Sequence, residues 1–198
     1  MTFFDMVTQW DLSVLEAIQN IKSDALDILM MIFSYMGEAG AIWIFAAITM
    51  LCFKKTKVTG AMILFALIAG VLIGEVALKN VVCRPRPFVI FPDLPQNINP
   101  PDGYSFPSGH SCSSFAAATI LLLRDKRFGL PALLVAALIA FSRLYNCVHF
   151  PTDVLAGILL GISLGVITVI FFKNTKLDDK LSRPLMYKHT PADDVNQE

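Results

Sequence analysis

Charged residues are scarce in this chain. They make up 16% of its 198 residues, where a soluble domain typically carries about 25%. Their signs balance, with 16 basic against 16 acidic side chains, so no basic field marks nucleic acid as a partner. Cysteine is sparse too. Cys52, Cys83, Cys112 and Cys147 form no CxxC pair and no zinc-like spacing. They read as small buried hydrophobes. The N-terminal stretch lacks the positive region that a cleavable signal requires, and no sequence repeat stands out. What abounds is apolar, at 55% of residues and a mean hydropathy of +0.61. The length suits one domain, with no room for a separate soluble one.

A membrane-spanning helix needs about 20 mostly apolar residues. Val58 to Leu78 supplies one, with Glu75 as its internal charge. Further spans are expected from Ser108 to Leu123, Leu130 to Leu144 and Val154 to Phe172. The last carries Gly157, Gly161 and Gly165 at a spacing that lets helices approach closely. Ala25 to Phe53 contains the turn signal Gly37-Glu38-Ala39-Gly40 and is read as two helices. The expectation is an all-α, polytopic membrane helix bundle of about six transmembrane helices. Residues 1–22 mix Trp10 and Leu15 with Asp5, Asp11 and Glu16, and are expected to form an amphipathic helix at the interface. The membrane domain then covers 23–173 and a flexible cytoplasmic tail covers 174–198. Between the spans, residues 84–107 hold Pro85, Pro87, Pro92, Pro95, Pro100, Pro101 and Pro107. Helix cannot persist there, so this is an extramembrane loop.

Short loops rich in Lys and Arg stay in the cytoplasm. Lys54, Lys55 and Lys57 fall on one side together with Arg124, Lys126, Arg127, Lys173 and Lys176. The proline-rich loop and the segment Tyr145 to Thr152 then face outward. Yet Lys79, Arg84, Arg86 and Arg143 also sit at outward ends, against the trend.

Three polar clusters occupy those ends. Lys79 precedes Arg86-Pro87 by a fixed interval. Pro107-Ser108-Gly109-His110 opens a helix. Ser142-Arg143 is followed by His149 and Asp153. Guanidinium groups match phosphate oxygens bidentately and Lys adds a point charge. Ser108 and Gly109, where loop enters helix, offer free N–H groups to an anion. Histidine supplies a nucleophile or an acid near neutral pH. Asp153, one turn after His149, can accept the Nδ1–H bond and leave Nε2 free.

These segments resemble, position for position, the signature of the type 2 phosphatidic acid phosphatase superfamily: Lys-x6-Arg-Pro, Pro-Ser-Gly-His and Ser-Arg-x5-His-x3-Asp. The resemblance implies roles. His149 is the nucleophile that becomes phosphorylated, Asp153 orients it, and His110 protonates the leaving group. Lys79, Arg86, Ser108, Gly109 and Arg143 bind the phosphoryl oxygens. It implies no metal and no cofactor. It also implies a membrane lipid phosphate as substrate within the lipid bilayer, and the charge pattern of the loops puts the site on the extracytoplasmic face. Undecaprenyl diphosphate is favoured over phosphatidylglycerol phosphate and phosphatidic acid. A lipid phosphotransferase using the same phosphohistidine is the alternative. A non-catalytic lipid-binding protein is disfavoured, because binding alone needs no His149–Asp153 pair. Vanadate-dependent haloperoxidases share the site pattern, but the membrane composition argues against that activity.

Other charged and reactive residues have plainer readings. Glu75 lies one turn before Lys79 and is read as its ion-pair partner. Arg84, outside the signature, is read as snorkelling to headgroups. His189 in the tail has no chemical role. A Cys83–Cys147 disulfide is the minor alternative to free thiols.

Overall fold

A computed structural model describes residues 3–175, 177 and 181, without the side chains of 3–5. Most of the tail expected over 174–198, including His189, lies outside them. Every element among the described residues is helical. In chain order these are α1 (Phe3–Gln19), α2 (Asp24–Met36), a 3₁₀ turn (Glu38–Gly40), α3 (Ala41–Leu51), α4 (Lys57–Gly70), a π-helical stretch (Val71–Leu78), α5 (Lys79–Val82), α6 (Pro87–Ile90), α7 (Gly109–Arg124), α8 (Lys126–Tyr145) and α9 (Pro151–Asn174).

Helix length and composition do not confirm the count of about six spans. Among the described residues three helical segments are long and apolar enough to cross a membrane: Lys57–Ile90, Lys126–Tyr145 and Pro151–Asn174. α2 and the 3₁₀–α3 segment reach that length only together, bent by 49° at the predicted turn. Each alone is too short, at about 1.5 Å per residue. The bend is built into the backbone, with Ala39 at φ +49° and Gly40 at φ +72°. α7, at 16 residues, also falls short of spanning length.

α7 is nevertheless the central helix, packed against α8, α9 and α4. Its close fit to α9 comes from the glycine series. A Cβ on Gly157 would lie 2.5 Å from the Ser108 carbonyl oxygen, one on Gly161 2.4 Å from that of Cys112, and one on Gly165 2.9 Å from that of Ala116. The three glycines thus face successive turns of α7 with no room for a side chain. The apolar core lies between these helices and includes Trp43, Met62, Ile63, Ala117, Ile120 and Ile139. Trp43 satisfies its buried N–H by donating to Ser114 Oγ at 2.9 Å. Large apolar side chains such as Phe45, Leu130, Leu134 and Leu159 point outward, as a bundle in lipid requires.

α1 does not simply lie along a surface. It docks on α8 and α9, and its Asp11 and Leu15 are fully buried. Met6 and Trp10 remain exposed on its outer face.

Candidate active site

The three signature clusters meet at one end of the bundle. Lys79, Arg86, Gly109, His110, Arg143 and His149 line one cavity of about 680 Å³. Ser108 and Asp153 are absent from that lining and lie behind it, both fully buried.

Local structure explains each placement. The π-helical stretch ends with the Lys79 N–H bonded to the Gly74 carbonyl, and such insertions re-aim side chains. Lys79 Nζ donates to Glu75 Oε2 at 2.6 Å, the ion pair expected from the spacing. Glu75 also explains Gly109, where a Cβ would strike Glu75 Oε1 at 2.2 Å. Ser108 is the N-cap of α7, and its hydroxyl accepts from the Ser111 N–H and hydroxyl. Its own N–H donates to the Asp153 carbonyl at 3.0 Å. The free N–H expected there for an anion is therefore engaged in this state.

Arg86 is held rigidly. It donates to the carbonyls of Gly103, Val148 and Asp102, each at 3.0 Å, and one N–H lies 3.3 Å from His149 Nε2. Arg143 donates to Ser34 Oγ, while its buried Nε–H has no partner. An orphaned buried donor is costly, and on a cavity wall it fits an anionic ligand.

His110 Nε2 lies 3.2 Å from the Ser34 carbonyl. A carbonyl only accepts, so the proton of His110 sits on Nε2. Ser34 belongs to the last turn of α2, where carbonyls lack helical partners. The bend between α2 and α3 also makes space for the imidazole, since a Cβ on Gly37 would lie 2.8 Å from His110 Cδ2.

The His149–Asp153 pair differs from the direct bond expected. Asp153 Oδ2 lies 3.8 Å from His149 Nδ1, too far for a hydrogen bond. Ser105 bridges them, with its hydroxyl 3.4 Å from Nδ1 and donating to Asp153 Oδ2. The Phe150 N–H donates to the same carboxylate oxygen at 2.9 Å. His149 is 2% exposed. Burial pulls its pKa down to about 3, against the opposing pull of Asp153. The imidazole is therefore neutral at pH 7.

Arg84 corrects the snorkelling expectation. It donates to Asp153 Oδ1 and to Asp11 Oδ2, each at 2.6 Å. Ser34, Ser105 and Asp11 were not found from sequence. Ser105, three residues before Ser108, was within reach of the motif, but serine in a loop carries no signal by itself. Cys83 is exposed and Cys147 buried, and both are free thiols rather than a disulfide. Among the described residues no group of three or more His, Cys, Asp or Glu converges as a metal site.

The family model described as PAP2 superfamily matches residues 59–176. An undecaprenyl-diphosphatase of Sulfolobus acidocaldarius is 35% identical over 130 residues, covering 65% of this chain and 62% of that protein. The chain thus spans less than two thirds of that relative's length. The crystal structure of Aquifex aeolicus LpxE superposes with a TM-score of 0.73 at 29% identity, covering 80% of this chain and 94% of that one. That of a PAP2-type phosphatidylglycerolphosphate phosphatase from Bacillus subtilis superposes with a TM-score of 0.70 at 26% identity, covering 85% and 87%.

Proposed function

This chain belongs to the PAP2 superfamily, and from that premise we propose that it is an integral membrane phosphatase acting on a lipid phosphate or diphosphate through a phosphohistidine intermediate. One observation carries the reading. Three cations and two histidines, from segments far apart in sequence, line a single cavity. Three cations neutralise a phosphate without a metal. A neutral, buried imidazole beside them offers a lone pair for attack on phosphorus.

His149 Nε2 attacks phosphorus while the bond from phosphorus to the leaving oxygen breaks. His110, as the imidazolium, gives that oxygen a proton. Water then attacks the phosphohistidine, His110 takes a proton from it, and inorganic phosphate leaves with His149 restored. Lys79, Arg86 and Arg143 hold the phosphoryl oxygens as charge shifts among them. The Gly109 end of α7 adds its helix dipole.

The rest of the cavity favours a lipid. Leu67, Gly70, Val71 and Gly74 form an apolar wall beside the polar one. The archaeal relative is named for undecaprenyl diphosphate, and we favour a polyprenyl diphosphate as substrate. The positive-inside pattern supports a cell-membrane location with the site facing away from the cytoplasm. The test is phosphate release by the purified protein in detergent from undecaprenyl diphosphate, phosphatidylglycerol phosphate and phosphatidic acid. Fastest release from the first is expected. No release from any of them would overturn the reading.

A further inference from the structure

We propose that Asp11 and Arg84 are positioning residues for the phosphoryl-transfer step, through which the N-terminal helix α1 fixes Asp153 and hence the ring of His149. This rests on the reading of His149 as nucleophile.

A carboxylate with no solvent exposure is costly unless it is paired and hydrogen-bonded. Asp11 is fully buried, and its partners, Thr152 and Arg84, both adjoin Asp153. Asp11 Oδ1 accepts from the Thr152 N–H at 2.9 Å. Asp11 Oδ2 accepts from the Thr152 hydroxyl and from Arg84, each at 2.6 Å. Arg84 spans two acids. Its other terminal nitrogen donates to Asp153 Oδ1 at 2.6 Å and to Thr152 Oγ1 at 2.7 Å. Its guanidinium carbon lies 4.1 Å from the centre of the Phe150 ring. A side chain held on so many sides is a strut rather than a mobile surface cation.

The strut completes Asp153. Oδ2 is occupied by Ser105 and the Phe150 N–H, and Oδ1 by Arg84. Neither oxygen is free to swing away from the Ser105–His149 side. Removing Arg84 frees Oδ1. Removing Asp11 frees one end of Arg84.

Charge gives Asp11 a second task. On the Nδ1 side of His149, opposite the Arg86 guanidinium that faces Nε2, two carboxylates and one guanidinium leave one net negative charge. When Nε2 attacks phosphorus with a proton still on Nδ1, the ring becomes cationic. The net negative charge stabilises that cation, which does not exist before attack. Without Asp11, Arg84 cancels Asp153 and nothing net remains. α1 therefore supplies the counter-charge as well as the clamp.

Asp11→Asn keeps shape and removes charge. In the full chain in detergent it is expected to lower kcat by about 10-fold to 100-fold, by analogy with partners that orient metal-ligating histidines, with KM little changed. Arg84→Lys keeps a cation but cannot span both acids, and kcat should fall likewise. It stands in if Asp11→Asn does not fold. A merely structural helix clamp would cost thermal stability and leave the kcat of the folded fraction intact. That result, or a wild-type kcat in either variant, overturns the proposal. His149→Ala is measured in parallel. If it is inactive while Asp11→Asn turns over normally, the nucleophile stands and the proposal falls. If His149→Ala turns over, the nucleophile assignment itself has failed.

Discussion

A guanidinium N–H of Arg86 points at Nε2 of His149 across 3.3 Å. Guanidinium only donates, so Nε2 presents its lone pair and the ring proton sits on Nδ1. On that side lies the Ser105 hydroxyl, with Asp153 behind it. One contact thus sets the tautomer and places a cation against the Nε2 lone pair on the cavity wall. In the proposed reaction an incoming phosphate takes over the Arg86 N–H and releases Nε2 for attack.

Ser105 carries the link between His149 and Asp153. Ser105→Ala removes it and leaves the Nδ1 proton without its acceptor. The expected loss in kcat is about 10-fold to 100-fold, with KM little altered, in steady-state assays on a lipid phosphate. Ser105→Thr restores the hydroxyl and should recover part of the loss. An unchanged kcat in Ser105→Ala would show that His149 needs no such bridge.

The two histidines should separate cleanly. His149→Ala is expected to abolish both turnover and covalent phosphorylation. His110→Ala loses only the acid, and general acid–base catalysis contributes about 10²–10⁴-fold. Its deficit should shrink with an aryl phosphate, whose leaving group needs little protonation. Trapping calls for an alkaline quench, because a phosphoramidate is acid-labile. If His149→Ala still labels and His110→Ala does not, the roles are reversed.

The burial of His149 has a signature in pH. Its folded pKa of about 3 lies below the unfolded value of 6.5. As pH falls below the unfolded value, the unfolded chain takes the proton first. The stability that His149 confers is therefore fully present above about 6.5 and is lost as pH falls toward 3. His149→Gln lacks this term. Between pH 7 and pH 4.5, wild-type Tm in detergent should drop further than that of the variant. Equal drops would contradict a buried neutral imidazole.

Charge neutralisation by Lys79, Arg86 and Arg143 predicts turnover that survives EDTA. It also predicts inhibition by vanadate, an anion able to adopt the five-coordinate geometry of the transferring phosphorus. Loss of activity in EDTA with recovery in magnesium would mean that these side chains do not carry the charge alone.

Sidedness is open to thiol labelling in intact cells after removal of the native cysteines. Asn97 is an unsuitable probe site, since it donates to Asp27 Oδ1 at 2.7 Å. Asp93 and Glu16 are exposed. Asp93→Cys should label from outside with a membrane-impermeant reagent, and Lys55→Cys only after permeabilisation. Treating α2 and α3 as one bent span leaves all three basic clusters on the same side but moves α1 to the side of the active site. Glu16→Cys should then label from outside as well. Labelling of Glu16→Cys only after permeabilisation would restore two separate spans.

The sequence by itself determined the membrane class and the chemistry of the cavity wall. Apolar runs are unmistakable because lipid forces them, and cations or histidines at their ends stand out because such positions disfavour them. Even the Glu75–Lys79 pair was legible, since helical spacing fixes it locally. The supports behind the wall were decided only by tertiary structure. Asp11 reads as one acid among several on a mixed helix, and nothing nearby marks it as buried. Its burial exists because Arg84, 73 residues away, and Thr152, 141 residues away, close around it. Arg84 looked like a headgroup contact because hydropathy cannot see a carboxylate on another helix. The path of the spans was hidden for a related reason. Apolar runs measure how much greasy chain there is, whereas its path depends on the turn at Ala39 and Gly40 and on how closely α7 and α9 approach. Neighbours distant in sequence set those, and composition along the chain does not encode distance between helices.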